Sequence, residues 1–314
     1  MILVAGGTGR LGTLVVGRLL DQGLDVRVLT RTHDRADHLG PKVDVMIGDV
    51  RDPGSVRRAV AACDVVVSAV HGFAGPHGIS PSSIDRDANA SLTDATKSAG
   101  AEFVLMSGVG AASSSPIELF RMKWAAEQYA ASSGVPTTII RATAFMELWI
   151  DILRKTATRS GRPVVFGHGD NPINFVSVTD VAALVERAVT DHATRGEILE
   201  IGGPDDLTFN QLANAVQTAD QRDRPPRHVP PLMLRLMAAT VGMLKPELGR
   251  QASAALVMDR DDFAFDSTAV HARFPWLAST SITDALAQVA HRPRHRRRSV
   301  RAIEAYREDS ASSP

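Results

Sequence analysis

The sequence is poor in the residues and runs that carry disulfide, metal and membrane chemistry. Its 314 residues include a single cysteine, Cys63, which excludes an internal disulfide and a cysteine-ligated metal cluster. No uninterrupted apolar run reaches the ~20 residues that a bilayer span requires, and the nearest candidate, residues 231–244, contains Arg235. We therefore expect no metal, no disulfide and no membrane association.

A net charge of one sign is missing as well. The 35 basic and 35 acidic side chains cancel and 44% of residues are hydrophobic, so the totals favour neither a nucleic-acid binder nor a disordered chain. Lysine is scarce, with five residues against thirty arginines, which is typical of a GC-rich bacterial genome. No secretory signal is expected because the first residues already form a buried strand, and this predicts a cytoplasmic location.

The last residues depart from this charge balance. Segment 291–314 holds seven arginines and three acidic residues. A terminus of this composition is predicted to be solvated and disordered, and contact with nucleic acid or acidic lipid is the alternative. Nucleic acid is otherwise not an expected partner.

The first residues carry the most informative motif. An apolar segment at residues 2–5 runs directly into Gly7, Gly9 and Gly12, and leucines and valines then recur at helical spacing. This order of strand, G-x-G-x-x-G and helix is the dinucleotide fingerprint, in which backbone amides approach a pyrophosphate at the positive end of a helix dipole. A glycine-rich turn without a ligand is the alternative. The motif predicts cofactor contacts at Gly6, Thr8, Gly9, Arg10, Leu11 and Gly12.

Strand-like and helical segments alternate over the first ~140 residues, which predicts an α/β fold with a doubly wound parallel sheet, the Rossmann fold. The six predicted strands span residues 2–5, 26–30, 43–47, 65–70, 103–107 and 137–141. Beyond residue 145 the alternation loosens. We predict a dinucleotide-binding domain at 1–145, to which 173–201 adds, and a smaller C-terminal α/β substrate lobe at 146–290.

The end of the second strand predicts which dinucleotide binds. In many dinucleotide domains an acidic residue at this position holds both hydroxyls of the adenine ribose. Here the strand ends in Arg31, whose guanidinium would bind a 2′-phosphate through paired, charge-assisted hydrogen bonds, with Arg35 as a second contact. NADP(H) is therefore predicted over NAD(H). A solvated strand-end arginine is the alternative.

Further cofactor contacts are predicted at the ends of the third and fourth strands. Asp49 is placed to accept a hydrogen bond from the adenine amino group, beside Val50, although a turn or N-cap aspartate before Pro53 is nearly as well supported. Small residues end the fourth strand, where backbone passes beneath the ribose and nicotinamide. They are Ser68, Ala69 and Val70.

Loop 71–81 leaves from the same sheet edge and is rich in glycine and proline, as expected for a movable lid. His71 and His77 are candidate proton carriers, with a structural or solvated histidine as the alternative. The cluster predicted as an apolar substrate wall would also serve as core between lobes. It comprises Phe73, Val109, Phe145, Met146, Trp149 and Phe175.

As a set, several segments resemble the NmrA-like, atypical branch of the short-chain dehydrogenase/reductases. They are the 6–12 loop, Arg31, Gly48-Asp49-Val50, Met106-Ser107-Gly108, Lys123 with Glu127, and segments 134–147 and 175–180. The likeness covers roughly residues 1–220 and implies an NAD(P)-binding Rossmann fold.

The resemblance also implies a catalytic serine, tyrosine and lysine, with tyrosine four residues before lysine. In the family the serine orients a carbonyl, the tyrosine transfers the proton, and the lysine lowers the tyrosine pKa and holds the ribose. Ser107 and Lys123 match as candidate catalytic residues, but the tyrosine position is Leu119. Because leucine transfers no proton, Lys123 is expected to hold the nicotinamide ribose or to act as general acid/base itself.

These observations favour an NADP(H)-dependent oxidoreductase of the NmrA-like type, acting on an unknown small substrate that is apolar or quinone-like. The missing tyrosine favours the alternative, a non-catalytic NADP(H)-binding redox sensor or regulator that acts through a protein partner. An epimerase or lyase is a third hypothesis, which Leu119 weakens. A homodimer is compatible with each of them.

Overall fold

A computed structural model describes residues 1–75 and 78–291, so His77 and the predicted tail from residue 292 onward lie outside the described residues. The strands are β1 (Ile2–Ala5), β2 (Val26–Thr30), β3 (Asp44–Ile47), β4 (Val65–Ser68), β5 (Glu102–Gly108), β6 (Thr137–Ala142), β7 (Ala144–Phe145), β8 (Val164–Phe166), β9 (Ile173–Val176), β10 (Ile198–Ile201), β11 (Asp206–Leu207) and β12 (Arg227–Val229).

The helices alternate with these strands over the first half of the chain. They are α1 (Arg10–Asp21), α2 (Pro53–Val60), α3 (Asn89–Ala99), α4 (Glu118–Ser133), α5 (Met146–Ala157), α6 (Val178–Thr190), α7 (Phe209–Ala219), α8 (Pro231–Leu236), α9 (Gly242–Leu244), α10 (Pro246–Arg260), α11 (Thr268–Arg273) and α12 (Ile282–His291). Two π-helical segments, Pro81–Ala88 and Met237–Val241, precede α3 and α9.

The main sheet confirms the predicted doubly wound fold. Seven strands lie in the order β10-β6-β5-β4-β1-β2-β3, and every pairing is parallel. The six strands predicted from the sequence are all present, and β10 extends the sheet beyond β6. The strand order changes direction between β1 and β4, where open parallel sheets have a crevice at the carboxyl ends of their strands.

Helices cover both faces of this sheet, which explains why β1 and β4 are buried along their whole length. On one face Val15 of α1 and Val181 of α6 pack against the strands. On the other face Val56, Leu92 and Ala126 extend from α2, α3 and α4. This packing fixes the loops at the carboxyl edge, where the site residues were predicted.

Elements from β7 onward, apart from α6 and β10, build a smaller layer with its own core. Strand β9 lies between β11 and β7, and β8 pairs with β12. Met146, Ile150, Phe175 and Leu212 form the centre of this core. Within segment 173–201, α6 and β10 join the main sheet, whereas β9 belongs to the smaller one; the division into two domains stays a prediction.

Candidate active site

The loop between β1 and α1 is shaped by approaches that glycine alone tolerates. Gly6 has a φ of +87°, and a Cβ there would lie 2.7 Å from the carbonyl oxygen of Ala69. Gly9 is the N-cap of α1 and offers no side chain to the first turn, whose amides can therefore donate to an anion. This shape fits a pyrophosphate at the N-terminus of the helix.

The side chains of the other residues predicted in this loop lie in different surroundings. Thr8 is half-buried, and Leu11 packs its side chain into the sheet core, so that Leu11 can meet a ligand through its backbone alone. Arg10 forms an ion pair with Asp151 of α5, which joins the loop to the smaller layer. Nothing in the sequence pattern identified Asp151 as a neighbour of this loop.

The residues predicted to bind the adenosine half follow β2 and β3. Arg31 and Arg35 are exposed, and Val50 packs against the sheet core. Asp49 accepts hydrogen bonds from Nε and Nη2 of Arg51 at 3.0 and 2.6 Å, and Arg51, with Arg31 contributing, keeps the pKa of Asp49 below its ordinary value. The carboxylate predicted for adenine is thus already paired, by an arginine that the sequence analysis missed.

The small residues at the end of β4 are integrated into the fold. Ser68 is buried, and its Oγ donates to Oδ1 of Asn89 at 2.5 Å. The Ala69 amide donates to the Ala5 carbonyl at 2.9 Å, and Val70 packs against the core. Because the Ser68 hydroxyl is used within the protein, contact with a cofactor here would come from backbone atoms.

Ser107 lies near the carboxyl end of β5, and Lys123 of α4 contacts the preceding residue of that strand, Met106; their catalytic roles stay a prediction. Ser107 is 6% exposed, and its Oγ has no hydrogen-bond partner within residues 1–75 and 78–291. Lys123 is 9% exposed and donates from Nζ to the Met106 carbonyl at 3.1 Å. A buried hydroxyl without a partner is costly in a folded protein, and a bound polar ligand would remove that cost.

Asp85 is a third buried group at this position, and the sequence analysis missed it. It is fully buried, and its Oδ1 lies 3.2 Å from Lys123 Nζ. Its Oδ2 accepts a hydrogen bond from the Gly72 amide at 2.8 Å. No motif or periodicity marks this aspartate, because the contact depends on how the π-helical segment packs on α4.

The residue at the family's tyrosine position and the candidate proton carrier His71 have different surroundings. Leu119, one turn before Lys123 on α4, is half-buried and apolar. His71 retains an exposed surface, yet desolvation by the protein lowers the pKa of its imidazole, while Asp85 raises and Lys123 lowers that pKa more weakly. The charges of Asp85 and Lys123 therefore act on His71 as well as on each other.

The predicted substrate wall divides in two. Met146, Trp149 and Phe175 belong to the core of the smaller layer, where the Trp149 and Phe209 rings meet edge to face with centroids 4.6 Å apart. The remaining three are half-buried and can still contact a ligand. They are Phe73, Val109 and Phe145.

The part of the chain that the structure describes, residues 1–75 and 78–291, contains no group of three or more histidine, cysteine, aspartate or glutamate side chains arranged to hold a metal ion. None of its helices combines the length and apolar character needed to cross a membrane.

Comparison with known proteins identifies relatives over most of the chain. A family model described as NAD(P)H-binding matches residues 6–192. The NAD(P)H azoreductase of Xenophilus azovorans is 28% identical over 249 residues, which cover 79% of this chain and 82% of that protein. The (4-alkanoyl-5-oxo-2,5-dihydrofuran-3-yl)methyl phosphate reductase of Streptomyces griseus is 31% identical over 213 residues, 67% of this chain and 71% of that one.

Among solved structures, the NADPH complex of an NADPH-dependent quinone oxidoreductase from Escherichia coli superposes with a TM-score of 0.76. The match covers 93% of this chain and all of that one, at 19% sequence identity. At this identity the likeness shows that the two proteins share a fold.

Proposed function

The chain belongs to the NAD(P)H-binding family, as its resemblance to the NmrA-like, atypical short-chain dehydrogenase/reductases implied, and on this premise we propose that it is an NADPH-dependent reductase of a small, apolar, quinone-like acceptor. The observation that carries the proposal is a buried Ser107 hydroxyl without a hydrogen-bond partner among the described residues, next in the chain to Met106, whose carbonyl accepts from the buried Lys123 ammonium. Both lie at the carboxyl edge of the sheet that also holds the glycine loop. Relatives named as an azoreductase and a reductase support the same reaction class.

The residues present fit the cofactor at three points. The glycine loop and the first turn of α1 would hold the pyrophosphate, and Arg31 with Arg35 would hold the 2′-phosphate. Lys123 would bind the nicotinamide ribose, since an ammonium has three hydrogens to donate and the Met106 carbonyl takes one. When bound, NADPH would supply a hydride, that is, two electrons and one proton.

The absence of the family's tyrosine, whose phenol would supply a proton, indicates which acceptors suit the site. A quinone that accepts a hydride becomes a hydroquinone anion, which is weakly basic and takes its remaining proton from water. An isolated ketone would become a strongly basic alkoxide, which needs a proton from the protein, and Leu119 cannot give one. Ser107 would orient the acceptor by donating its hydroxyl hydrogen to a carbonyl oxygen. We therefore expect conjugated acceptors to react and simple ketones to fail.

Loss of nicotinamide absorbance during incubation with quinones, enones and simple aldehydes tests this proposal. Replacing Lys123 by Met should lower kcat/KM for quinones roughly 100-fold or more, because a preorganised cation is lost. The matched control is Lys155→Met, which removes an exposed lysine on α5. Absence of quinone turnover by the wild-type protein, or full activity in Lys123→Met, would contradict the proposal.

A second function, an NADP(H)-binding redox sensor with a protein partner, is favoured by an exposed apolar face on the helical stretch from α8 to α9. Surface patches of this kind mark interaction sites. The large side chains on this face are Leu232, Met233, Leu236, Met243 and Leu244. NADPH binding without turnover of any acceptor, together with partner binding that Leu236→Glu abolishes, would favour this function over the reductase.

A further inference from the structure

Asp85 is a buried carboxylate that connects two elements bordering the proposed nicotinamide site. Its Oδ1 faces Lys123 of α4 at 3.2 Å, and its Oδ2 accepts from the Gly72 amide at 2.8 Å, just beyond the end of β4. The side chain is fully buried. One carboxylate thus fixes both the ammonium and the start of the segment that leaves β4.

The surroundings of Asp85 hold it firmly. Asn89 donates from Nδ2 to the Asp85 carbonyl at 2.9 Å, and Asn89 is itself fixed by Ser68. The π-helical segment Pro81–Ala88 begins with a capping box between Ser80 and Ser83. Its wider turn changes the direction of side chains relative to an α-helix, and π-turns occur frequently at functional sites.

Asp85 Oδ1 is buried and lacks a hydrogen-bond partner among the described residues, and so does Ser107 Oγ on β5, the strand whose Met106 carbonyl accepts from Lys123. The contact between Asp85 Oδ1 and Lys123 Nζ is therefore an ion pair without hydrogen-bond alignment. Burying a charge pair is costly, and an apolar pair would join the same elements at lower cost. Simple attachment of α4 to the π-helical segment does not explain why a carboxylate is placed here.

We propose that Asp85 is a positioning residue, which holds the Lys123 ammonium in the orientation that binds the nicotinamide ribose of NADPH. This inference rests on the proposed function, since it assigns Lys123 to the cofactor. Lys123 donates one hydrogen to the Met106 carbonyl and faces Asp85 Oδ1 at 3.2 Å, which leaves an ammonium hydrogen for the ribose. Asp85 acts through Lys123 and does not touch the acceptor.

The inference is tested by binding measurements on Asp85→Asn, which keeps the shape of the side chain and removes its charge. Calorimetric titration with NADPH should show a dissociation constant raised roughly tenfold to 100-fold. This is the range expected when the charge-assisted hydrogen bond from Lys123 to the ribose is lost. The fragment 2′,5′-ADP, which lacks the nicotinamide ribose, should bind with unchanged affinity. A purely structural role would weaken both ligands together.

A matched control lies on α4, one helical turn after Lys123. Glu127 is buried like Asp85, and it pairs with Arg141 instead of a site residue. Glu127→Gln should lower stability and leave the NADPH dissociation constant within about twofold of the wild-type value. Equal weakening of NADPH binding in Glu127→Gln and Asp85→Asn would overturn the inference.

The double variant Asp85→Asn/Lys123→Met keeps the test decisive if Asp85→Asn alone does not fold, because it removes both buried charges. We expect it to bind NADPH as weakly as Lys123→Met, without a further loss. Additive losses, or unchanged NADPH affinity in Asp85→Asn, would show that Asp85 does not act through Lys123. These outcomes are measured by binding, so a failure of the proposed reductase activity is recognised separately by the absence of turnover.

Discussion

Gly12 of α1 lies directly against Gly6 of the preceding loop, so that a Cβ on Gly12 would stand 2.1 Å from the Gly6 carbonyl oxygen. No side chain fits this distance, and the atom opposite is backbone, which cannot move aside without displacing the loop. Gly6 in turn contacts the carbonyl of Ala69 after β4. The helix start, the loop and the exit of β4 therefore form one close-packed unit.

This packing predicts the effect of Gly12→Ala. The added methyl would push the loop out of its conformation, raise the NADPH dissociation constant at least tenfold, and cost about 1–3 kcal/mol of unfolding free energy. Gly17→Ala on the same helix is the control, because a Cβ there meets no atom within 4 Å, and it should stabilise by about 0.5–1 kcal/mol. Wild-type NADPH affinity in Gly12→Ala would disprove the role of this contact.

The position of Arg31 at the end of β2 predicts that it selects NADPH over NADH. Arg31→Ala removes an exposed guanidinium at the end of β2, and the NADPH dissociation constant should rise roughly tenfold to 100-fold while that for NADH stays the same. The effect should shrink at high salt because exposed charges are screened. Arg57→Ala, on the exposed side of α2, serves as the control. A parallel loss for both cofactors would contradict the assignment.

Local signals in the sequence carry several of the cofactor contacts that we predict. The glycines and Arg31 each follow a strand end, and strand ends are visible as apolar runs, whereas Ser107 and Lys123 are predicted from the family resemblance. Asp85 gives no such signal. Its contact with Lys123 arises from the packing of a π-helical segment on α4, two elements far apart in the chain.

The smaller layer shows what the spacing of apolar residues in the sequence could not predict. Aromatic and methionine spacing predicted an apolar cluster but could not say whether a ligand or another helix covers each of its members. The structure places Met146 and Phe175 in a core closed by Phe209 of α7. Phe209 comes from a later segment whose position relative to α5 is set by tertiary packing, so sequence periodicity alone left both interpretations open.

Asp180 at the start of α6 makes stability depend on pH. It is buried and accepts hydrogen bonds from the amide and hydroxyl of Thr280, both at 2.8 Å. Burial raises the pKa of Asp180 above its ordinary 3.8, with the Thr280 bonds and His271 opposing the rise and Glu147 adding to it. The folded state then binds more protons than the unfolded state, so stability from this group is full below pH 3.8 and is lost as pH rises through the folded pKa.

Asp180→Asn should therefore flatten the fall in unfolding free energy as pH rises above 3.8, as measured by urea titration at a series of pH values. Asp191→Asn is a control of opposite sign. The Ala193 amide lowers the pKa of Asp191 below 3.8, so the wild-type carboxylate stabilises the fold above pH 3.8 and the variant loses that contribution. If the unfolding free energy of Asp180→Asn depends on pH as that of the wild-type protein does, the Asp180 carboxyl has the same pKa in the folded and unfolded states.

The ion pair between Arg10 and Asp151 joins the glycine loop to α5 of the smaller layer. Their side chains are 34% and 51% exposed, so the pair is accessible to solvent. Arg10 is predicted to meet the pyrophosphate, and to do so its guanidinium must leave Asp151. The carboxylate therefore competes with the phosphates for the same cation.

Asp151→Asn should consequently tighten NADPH binding. An exposed ion pair contributes roughly 0.2–1 kcal/mol, so the dissociation constant should fall by up to about fivefold, and the gain should diminish as salt is added. The control is Glu186→Gln, which breaks the ion pair of Arg18 two turns further along α1 and should leave NADPH affinity unchanged. Weaker NADPH binding in Asp151→Asn would instead mean that the pair holds the smaller layer in the binding-competent position, because competition for Arg10 cannot produce that sign.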